Sequence, residues 1–456
     1  MNYYLRHPYG RVVAAAIALD FLAFVAAAIL TWIFARPPAT GPVFALVSGV
    51  GALLCCGALA SGEGYAPSTL SSWRQNVRVV LRTMGVAFAV ALFLFAAVRT
   101  TPAQTETLAS VALLYFPLLL AGRFVFRSVT SVRRAPDRIL IVGCGDLGVA
   151  IADHIASTPH PGIELLGFLS DDFLPQGVAG YPVLGAVHQL EKMLDMDDVN
   201  TVVVASFPFD DSIPSDDLLR AKMRGVRVES GLCFYERLTG RLYLREVNPN
   251  HLIFSEGFRT SRAAEVARRA LDVVMALVSL ALVAPVLAAC AIAIRIDSSG
   301  PVFYRQVRIG KDGRPFRVMK LRTMKVDAEK GSGARFASQR DPRVTRVGRF
   351  LRMTRLDEVP QYWNVLTGDM SIVGPRPERP EFMDTLASRY PLFRLRLAQK
   401  PGLTGWAQVR YGYASDIEEF ETKLGLDLYY LKHRSLLFDV LIILQTVKTV
   451  LLFRGM

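Results

Sequence analysis

Apolar residues in the first 130 positions gather into four runs, approximately Val12 to Phe34, Pro42 to Ala60, Val79 to Val98 and Leu108 to Phe126. Each is close to the ~20 residues that cross a hydrocarbon core as a helix, so the pattern predicts four transmembrane helices. The first run is too long, and is followed too soon by another, for a cleaved signal peptide. Arg6 and Arg11, then Arg74, Arg78 and Arg82, then Arg123, Arg127, Arg133 and Arg134 fall on one side of such a bundle, against Arg36 and Arg99 on the other. Basic flanks mark the cytoplasmic side, so both ends of the bundle are expected there.

At Asp137 the pattern changes to Arg-Ile-Leu-Ile-Val-Gly143-Cys-Gly145-Asp-Leu-Gly148, a buried strand running into a glycine-rich turn and a helix. A Rossmann-type unit opens in this way. A second apolar strand, Leu165 to Leu169, ends at Asp171-Asp172, where a ribose-binding acid would fall, and Thr201 to Ala205 reads as a further strand. Gly143, Gly145, Gly148 and Asp171 are therefore candidate nucleotide-binding residues. Tight turning and close helix packing explain the glycines about as well.

A fifth apolar run, Val273 to Ile294, is long enough to span but carries basic residues on both flanks: Arg262, Arg268 and Arg269 before it, Arg295, Arg305 and Arg308 after it. Positive charge on both sides argues against crossing. Pro285, in the middle, removes an intrahelical hydrogen bond. A helix over 268–295 that enters the cytoplasmic leaflet, breaks at Pro285 and returns keeps both flanks inside. An ordinary fifth span would instead put the Rossmann unit or the segment after it outside the cell. The last apolar stretch, Leu436 to Phe453, is interrupted by Asp439, Gln445 and Lys448, which fits an interfacial helix better than a span.

Composition agrees with a chain that is partly in a bilayer: 52% of its 456 residues are hydrophobic, and the mean hydropathy is +0.30. The net charge of +13 suits polyphosphate ligands or an anionic leaflet equally well. Nucleic acid is not expected as a partner, because the basic residues form no dense helix or arm. Cys55, Cys56, Cys144, Cys233 and Cys290 have no metal-ligand spacing, and the six histidines are dispersed, so no zinc site is expected.

The candidate chemistry lies late in the chain. Asp357 and Glu358 are adjacent carboxylates among Arg352, Arg355 and Arg376. On a helix, neighbours project about 100° apart, which suits two separate jobs better than a shared proton. Arginine clamps phosphate oxygens bidentately. Lys320 and Arg322 alternate with apolar neighbours and are expected on one strand face. A cationic cleft of this kind concentrates a diphosphate and stabilises charge on a departing phosphate. Asp357 as a nucleophile has to be ionised, and the arginines are expected to lower its pKa. Glu358 supplies an oxygen ligand of the type Mg²⁺ prefers. A surface salt-bridge cluster is the alternative.

The segments Arg305-Gln306-Val-Arg308-Ile-Gly310, Lys320-Leu-Arg322-Thr323-Met324, Leu356-Asp357-Glu358-Val-Pro360-Gln361, Gly368-Asp369-Met370-Ser371-Ile-Val-Gly374-Pro375-Arg376-Pro377-Glu378 and Lys400-Pro-Gly-Leu-Thr404-Gly405-Trp406-Ala-Gln408 occur in this order. Together they resemble the bacterial polyprenyl-phosphate sugar-phosphate transferases, whose long members carry four membrane spans and a Rossmann-like domain before a monotopic catalytic domain. The resemblance implies a membrane protein of mixed α and α/β class: a four-helix transmembrane region over 1–130, a Rossmann-like, CoA-binding-like cytoplasmic domain over 135–258, and an α+β phosphoglycosyl transferase domain with a re-entrant helix over 262–456. It also implies a location in the bacterial inner membrane, with the catalytic domain on the cytoplasmic face.

By the same resemblance, Asp357 attacks a UDP-sugar, expels UMP and holds the sugar phosphate until undecaprenyl phosphate takes it. Glu358 would bind Mg²⁺, and Lys320, Arg322, Arg352 and Arg376 would serve the phosphates. Gln408 would line the nucleotide site, and Asp439 would orient a basic partner. A homodimer is compatible with this arrangement. A membrane-bound nucleotide-sugar dehydratase is the rival enzyme, but it needs a second dinucleotide fingerprint and a Tyr-x-x-x-Lys pair, and neither follows residue 262. A nucleotide-sensing scaffold of a polysaccharide assembly complex is the non-enzymatic rival.

Overall fold

The computed structural model describes residues 10–35, 51, 55–56, 59, 64–65, 73–97, 102–130, 136–158, 162–171, 177–196, 199–205, 215–247, 249–258, 261–325, 343–411 and 417–451. The chain divides into two units, Met1–Leu238 and Thr239–Met456.

In the first unit, helices Gly10–Ala35, Trp73–Ala97 and Pro102–Thr130 occupy three of the predicted spans. The run at 42–60 lies outside the described residues except at Gly51, Cys55, Cys56 and Leu59. Ala15–Phe34 and Ser110–Ser128 are long and apolar enough to cross a membrane. Ala16, Ala27, Phe24, Tyr115 and Leu119 form their common core, small residues letting the backbones approach. Arg123, counted above among the flanking charges, is instead buried among these helices. Its NH2 donates to Asp20 at 2.6 Å and its NH1 to Asn76 at 2.8 Å and the Gly64 carbonyl at 2.9 Å, while the guanidinium lies 5.1 Å from the Tyr65 ring centre. A cation enters such an interior only when its donors are met.

Five parallel strands follow: β1 (Asp137–Val142), β2 (Ile163–Leu169), β3 (Val183–Gly185), β4 (Thr201–Val204) and β5 (Arg227–Ser230), in the order β3-β2-β1-β4-β5. Ile139 to Val142 are buried on both faces, as a central parallel strand requires. The strand order reverses between β1 and β4, where open α/β sheets leave a crevice. Gly143 turns the chain there with φ of 101°, and a Cβ on Gly148 would stand 2.6 Å from the Gly143 carbonyl. Both glycines thus have a backbone reason, whereas a Cβ on Gly145 would meet open space. Asp171 accepts from the Val187 N–H at 3.0 Å and caps the short turn Val187–Gln189. Asp172 lies outside the described residues.

In the second unit the short helix Pro249–Phe254 precedes helix Arg262–Asp297, which Ser261 caps by accepting from the Ala264 N–H. It is longer than the expected 268–295, and its helical conformation continues through Pro285. Pro285 supplies no N–H there, so one intrahelical hydrogen bond is missing at that point. Two stretches of this helix are fastened to the same unit. Near its start, Arg269 donates to the carbonyls of Val365 and Leu366 at 2.6 and 2.8 Å, and Asp272 accepts from the Ile372 N–H and the Ser371 hydroxyl. Beyond Pro285, Leu287, Cys290 and Ile294 pack with Leu321, Leu351 and Leu356, and Asp297 accepts from the Val347 N–H. Between these anchors Leu282 and Val286 are exposed.

The rest of the unit comprises the antiparallel pair β6 (Phe303–Ile309) and β7 (Pro315–Leu321), the short parallel pair β8 (Ser371–Val373) and β9 (Gly402–Thr404), and helices at Arg346–Met353, Gln361–Thr367, Pro380–Arg389, Trp406–Arg410, Ile417–His433 and Leu436–Leu451. Val365, Ile372, Phe393, Leu428, Tyr430, Phe438 and Ile442 share one core. In the last helix Phe438 and Ile442 face that core, while Leu437, Val440 and Val447 are exposed.

The membrane-helix ion pair gives a direct test. Arg123→Ala strands Asp20 and is expected to cost about 3–5 kcal/mol, measured by thermal unfolding of the full chain in detergent. Asp20→Leu combined with Arg123→Met is expected to recover most of that loss.

Candidate active site

Helix Arg346–Met353 approaches the end of β7 so closely that a Cβ on Gly348 would overlap the Thr323 carbonyl. The helix ends at Thr354, and Arg355 then takes a left-handed conformation with φ of 58°. This conformation is costly for a side chain other than glycine and is found where a site holds strain. It turns the chain into the tight 3₁₀ turn Leu356–Glu358, so the dyad sits on that turn and not on the α-helix assumed for the 100° argument. Helix Gln361–Thr367 starts just after it, and Asn364 ties this helix to β7 by donating to the Arg317 carbonyl and accepting from the Met319 N–H.

The two carboxylates have different surroundings. Glu358 accepts from Lys320 Nζ and Arg376 NH2, both at 2.9 Å, and lies 3.8 Å from Arg355 NH1. Burial opposes its charge, but Lys320, Arg376 and Arg355 outweigh burial and hold its pKa well below the ordinary carboxylate range. Asp357 is 8% exposed, and among the described residues no hydrogen-bond donor reaches its carboxylate. Burial first, then the neighbouring charge of Glu358, push its pKa up to about 6 against the pull of Lys320, Arg352 and Arg376. The arginines do pull it down, as expected, but burial and the Glu358 charge outweigh them. Asp357 still ionises mostly at pH 7, and it is a carboxylate without a committed partner, as a nucleophile must be.

Of the other expected residues, Lys320 and Arg376 are brought to Glu358. Arg352 Nε donates to the Thr323 hydroxyl at 3.0 Å, with its charge felt at Asp357. Arg322 is turned away from the dyad: its two terminal nitrogens donate to the carbonyls of Ser299 and Ser298 and cap the end of the long helix. These bonds engage both of its terminal nitrogens. Asp439 accepts from Arg268 Nε and from the Tyr430 hydroxyl, both at 2.7 Å. Gln408 donates to the Leu403 carbonyl at 3.3 Å, and its Oε1 is buried without a partner among the described residues. No hydrogen bond among the described residues joins either to the dyad.

Among the described residues no group of three or more His, Cys, Asp or Glu side chains could cage a metal. The oxygens of the dyad nevertheless fit a hard cation that keeps water and takes substrate phosphate, which needs only one or two carboxylates. Sequence reasoning missed Arg269 and Asp272, for which an acid inside an apolar helix was the available signal. It also missed Arg396 and Asp427, a buried pair at 2.8 Å, for which nothing in the local pattern gave a signal.

Residues 263–453 match the family described as bacterial sugar transferase, and residues 60–211 match a CoA-binding domain. A UDP-glucose:undecaprenyl-phosphate glucose-1-phosphate transferase of Xanthomonas campestris pv. campestris is 30% identical over 346 residues, covering 73% of this chain and 71% of that protein. The chain belongs to the bacterial sugar transferases. A UDP-N-acetylgalactosamine-undecaprenyl-phosphate N-acetylgalactosaminephosphotransferase of Aeromonas hydrophila is 38% identical over 266 residues, 57% of this chain and 62% of that protein. A UDP-glucose:undecaprenyl-phosphate glucose-1-phosphate transferase of Escherichia coli (strain K12) is 46% identical over 182 residues, 40% of this chain and 39% of that protein. The chain thus spans less than two thirds of the length of these last two relatives.

Asp427 generates a pH prediction for this sugar transferase. Burial, partly offset by Arg396, raises its pKa from 3.8 to about 6. The folded state therefore holds a proton that the unfolded state releases, a contribution fully present below pH 3.8 and lost as pH rises through about 6. Asp427→Asn does not titrate. Its stability relative to the unsubstituted chain is expected to rise by about 3 kcal/mol between pH 4 and 7, read as the difference in unfolding temperature across that range.

Proposed function

We propose that this sugar transferase moves a sugar 1-phosphate from a UDP-sugar to undecaprenyl phosphate and so initiates synthesis of an exopolysaccharide or related glycan. The uncommitted Asp357 beside a Glu358 that gathers Lys320 and Arg376 carries the reading. An Asp357 oxygen attacks the β-phosphorus of the donor. The bond from that phosphorus to the oxygen bridging to the α-phosphate breaks, and UMP leaves with the electron pair. An oxygen of undecaprenyl phosphate then attacks the same phosphorus, releasing the Asp357 carboxylate and forming the lipid diphosphate sugar. Splitting one displacement into two in this way is a general device. Lys320, Arg352 and Arg376 surround Asp357 electrostatically and stabilise charge on the leaving phosphate. Mg²⁺, held by Glu358 with substrate phosphate and water, would add further neutralisation of the diphosphate.

The helix Arg262–Asp297 serves here as a re-entrant element, with the catalytic part on the cytoplasmic face of the inner membrane. Its anchors on both sides of Pro285 and its exposed stretch around Leu282 and Val286 support this. A helix held by one unit at both ends has no free end to carry across the bilayer. The reading keeps a membrane region over 1–130, a Rossmann-like domain over 135–258 and a catalytic domain over 262–456, although residues from Thr239 onward belong to the second unit, with Gly143, Gly145 and Gly148 as the nucleotide-side turn.

Purified full-length protein with Mg²⁺, undecaprenyl phosphate and a panel of UDP-glucose, UDP-galactose and N-acetylated UDP-sugars is expected to release UMP with at least one donor. Asp357→Asn is expected to lower that release by on the order of 10⁴-fold; release that survives the substitution removes Asp357 as nucleophile. Single cysteines placed before residue 268 and after residue 296 are expected to resist an impermeant label in intact cells. Labelling of one and not the other would mean that the helix crosses.

A further inference from the structure

The segment Pro375-Arg376-Pro377-Glu378 contains two residues without an N–H, so it cannot join a regular ladder, and its carbonyls need donors from elsewhere. Each of the four carbonyls has one. Pro375 accepts from the Gly402 N–H at 2.9 Å and Glu378 from the Ile309 N–H at 3.0 Å. The two between them are held by side chains: Arg396 NH2 donates to the Arg376 carbonyl at 2.9 Å, and Arg308 NH1 donates to the Pro377 carbonyl at 3.0 Å.

Both arginines are themselves fixed. Arg396 is 5% exposed, bonds Asp427 at 2.8 Å and lies 5.3 Å from the Phe393 ring centre. Arg308 donates through Nε and NH2 to the single Gln306 amide oxygen, at 3.1 and 2.8 Å. A rigid planar fork holds two acceptors in a fixed relative geometry, whereas the rotatable ammonium of a lysine bonds acceptors without fixing that geometry. Burial, followed by the charge of Arg376, lowers the Arg308 pKa to about 10. Two cations placed side by side are tolerated here because one serves the backbone and the other serves Glu358.

We infer that Arg308 and Arg396 are positioning residues for the transfer reaction, fixing the 375–378 carbonyls so that the Arg376 side chain is aimed at Glu358 and the phosphate beside it. The inference rests on the proposed transferase reading for its kinetic consequence, and on backbone geometry alone for its structural one. A misplacement of about 1 Å at a reacting centre costs about 100-fold in rate, so the effect is expected in kcat with KM little changed.

The experiment pairs hydrogen–deuterium exchange with a double-mutant cycle on the purified full chain. In Arg308→Gln, the Ile309 and Gly402 amides are expected to exchange about tenfold faster, with β1 and β4 amides unchanged. UMP release is expected to fall up to about 100-fold, but by less than about twofold when Arg376 is already lysine, because the two act in series. Arg308→Lys, which keeps the charge and donors but not the fixed planar geometry, is expected to fall between. Because Arg396→Lys removes part of a buried pair, its exchange is read only in protein that retains a cooperative unfolding transition. Unchanged exchange in Arg308→Gln, or losses that multiply fully with those of Arg376→Lys, overturns the inference. If the unsubstituted chain releases no UMP from any donor, the transferase reading fails, and the exchange result alone decides whether Arg308 holds the loop.

Discussion

A carboxylate buried among cations organises the catalytic unit. Glu358 can be ionised in its pocket only because Lys320 arrives from β7 and Arg376 from the loop after β8, both at 2.9 Å. Removing a charge from water costs several kcal/mol unless its partners are well placed. The elements carrying those partners must therefore dock in one arrangement, and that arrangement leaves Asp357 next door with no hydrogen-bond donor among the described residues. The same interaction explains why the neighbours titrate apart: the cations favour the charge on Glu358, while burial and that charge disfavour it on Asp357. Two adjacent acids thereby acquire separate roles.

The docking in turn depends on the long helix. Arg269 holds the last carbonyls of the helix that follows the dyad, where a cation is favoured by the helix dipole. Asp272 holds the start of β8. At the other end, Arg322 and Asp297 join the helix to the strand and helix that carry Lys320 and Arg352. An apolar element of membrane length thus forms part of the scaffold of a polar site. In the transferase reading proposed above, phosphate chemistry at a bilayer surface would gain from this, since a water-soluble donor and a lipid acceptor would meet without either crossing.

Much of the fold was legible because it rests on local patterns. Membrane-length apolar runs and the strand and glycine turn at Gly143 both follow from burial at a fixed period. The readings that changed were of charged residues. Arg123 resembled a flanking charge but closes an ion pair with Asp20, 103 positions away. Arg322 resembled a neighbour of Lys320 in function but caps a helix.

The sequence by itself determined which segments are apolar enough for a bilayer, where a parallel sheet begins, and that Asp357 and Glu358 stand among cations. Those properties depend on residue type and spacing along the chain. Only the tertiary structure decided which cation each carboxylate receives, and therefore which of the two stays uncommitted. It also decided that Arg308, Arg396, Arg269 and Asp272 belong to the site's support. A charged side chain is placed by the partner that offsets its desolvation, and here those partners lie on elements far apart in sequence.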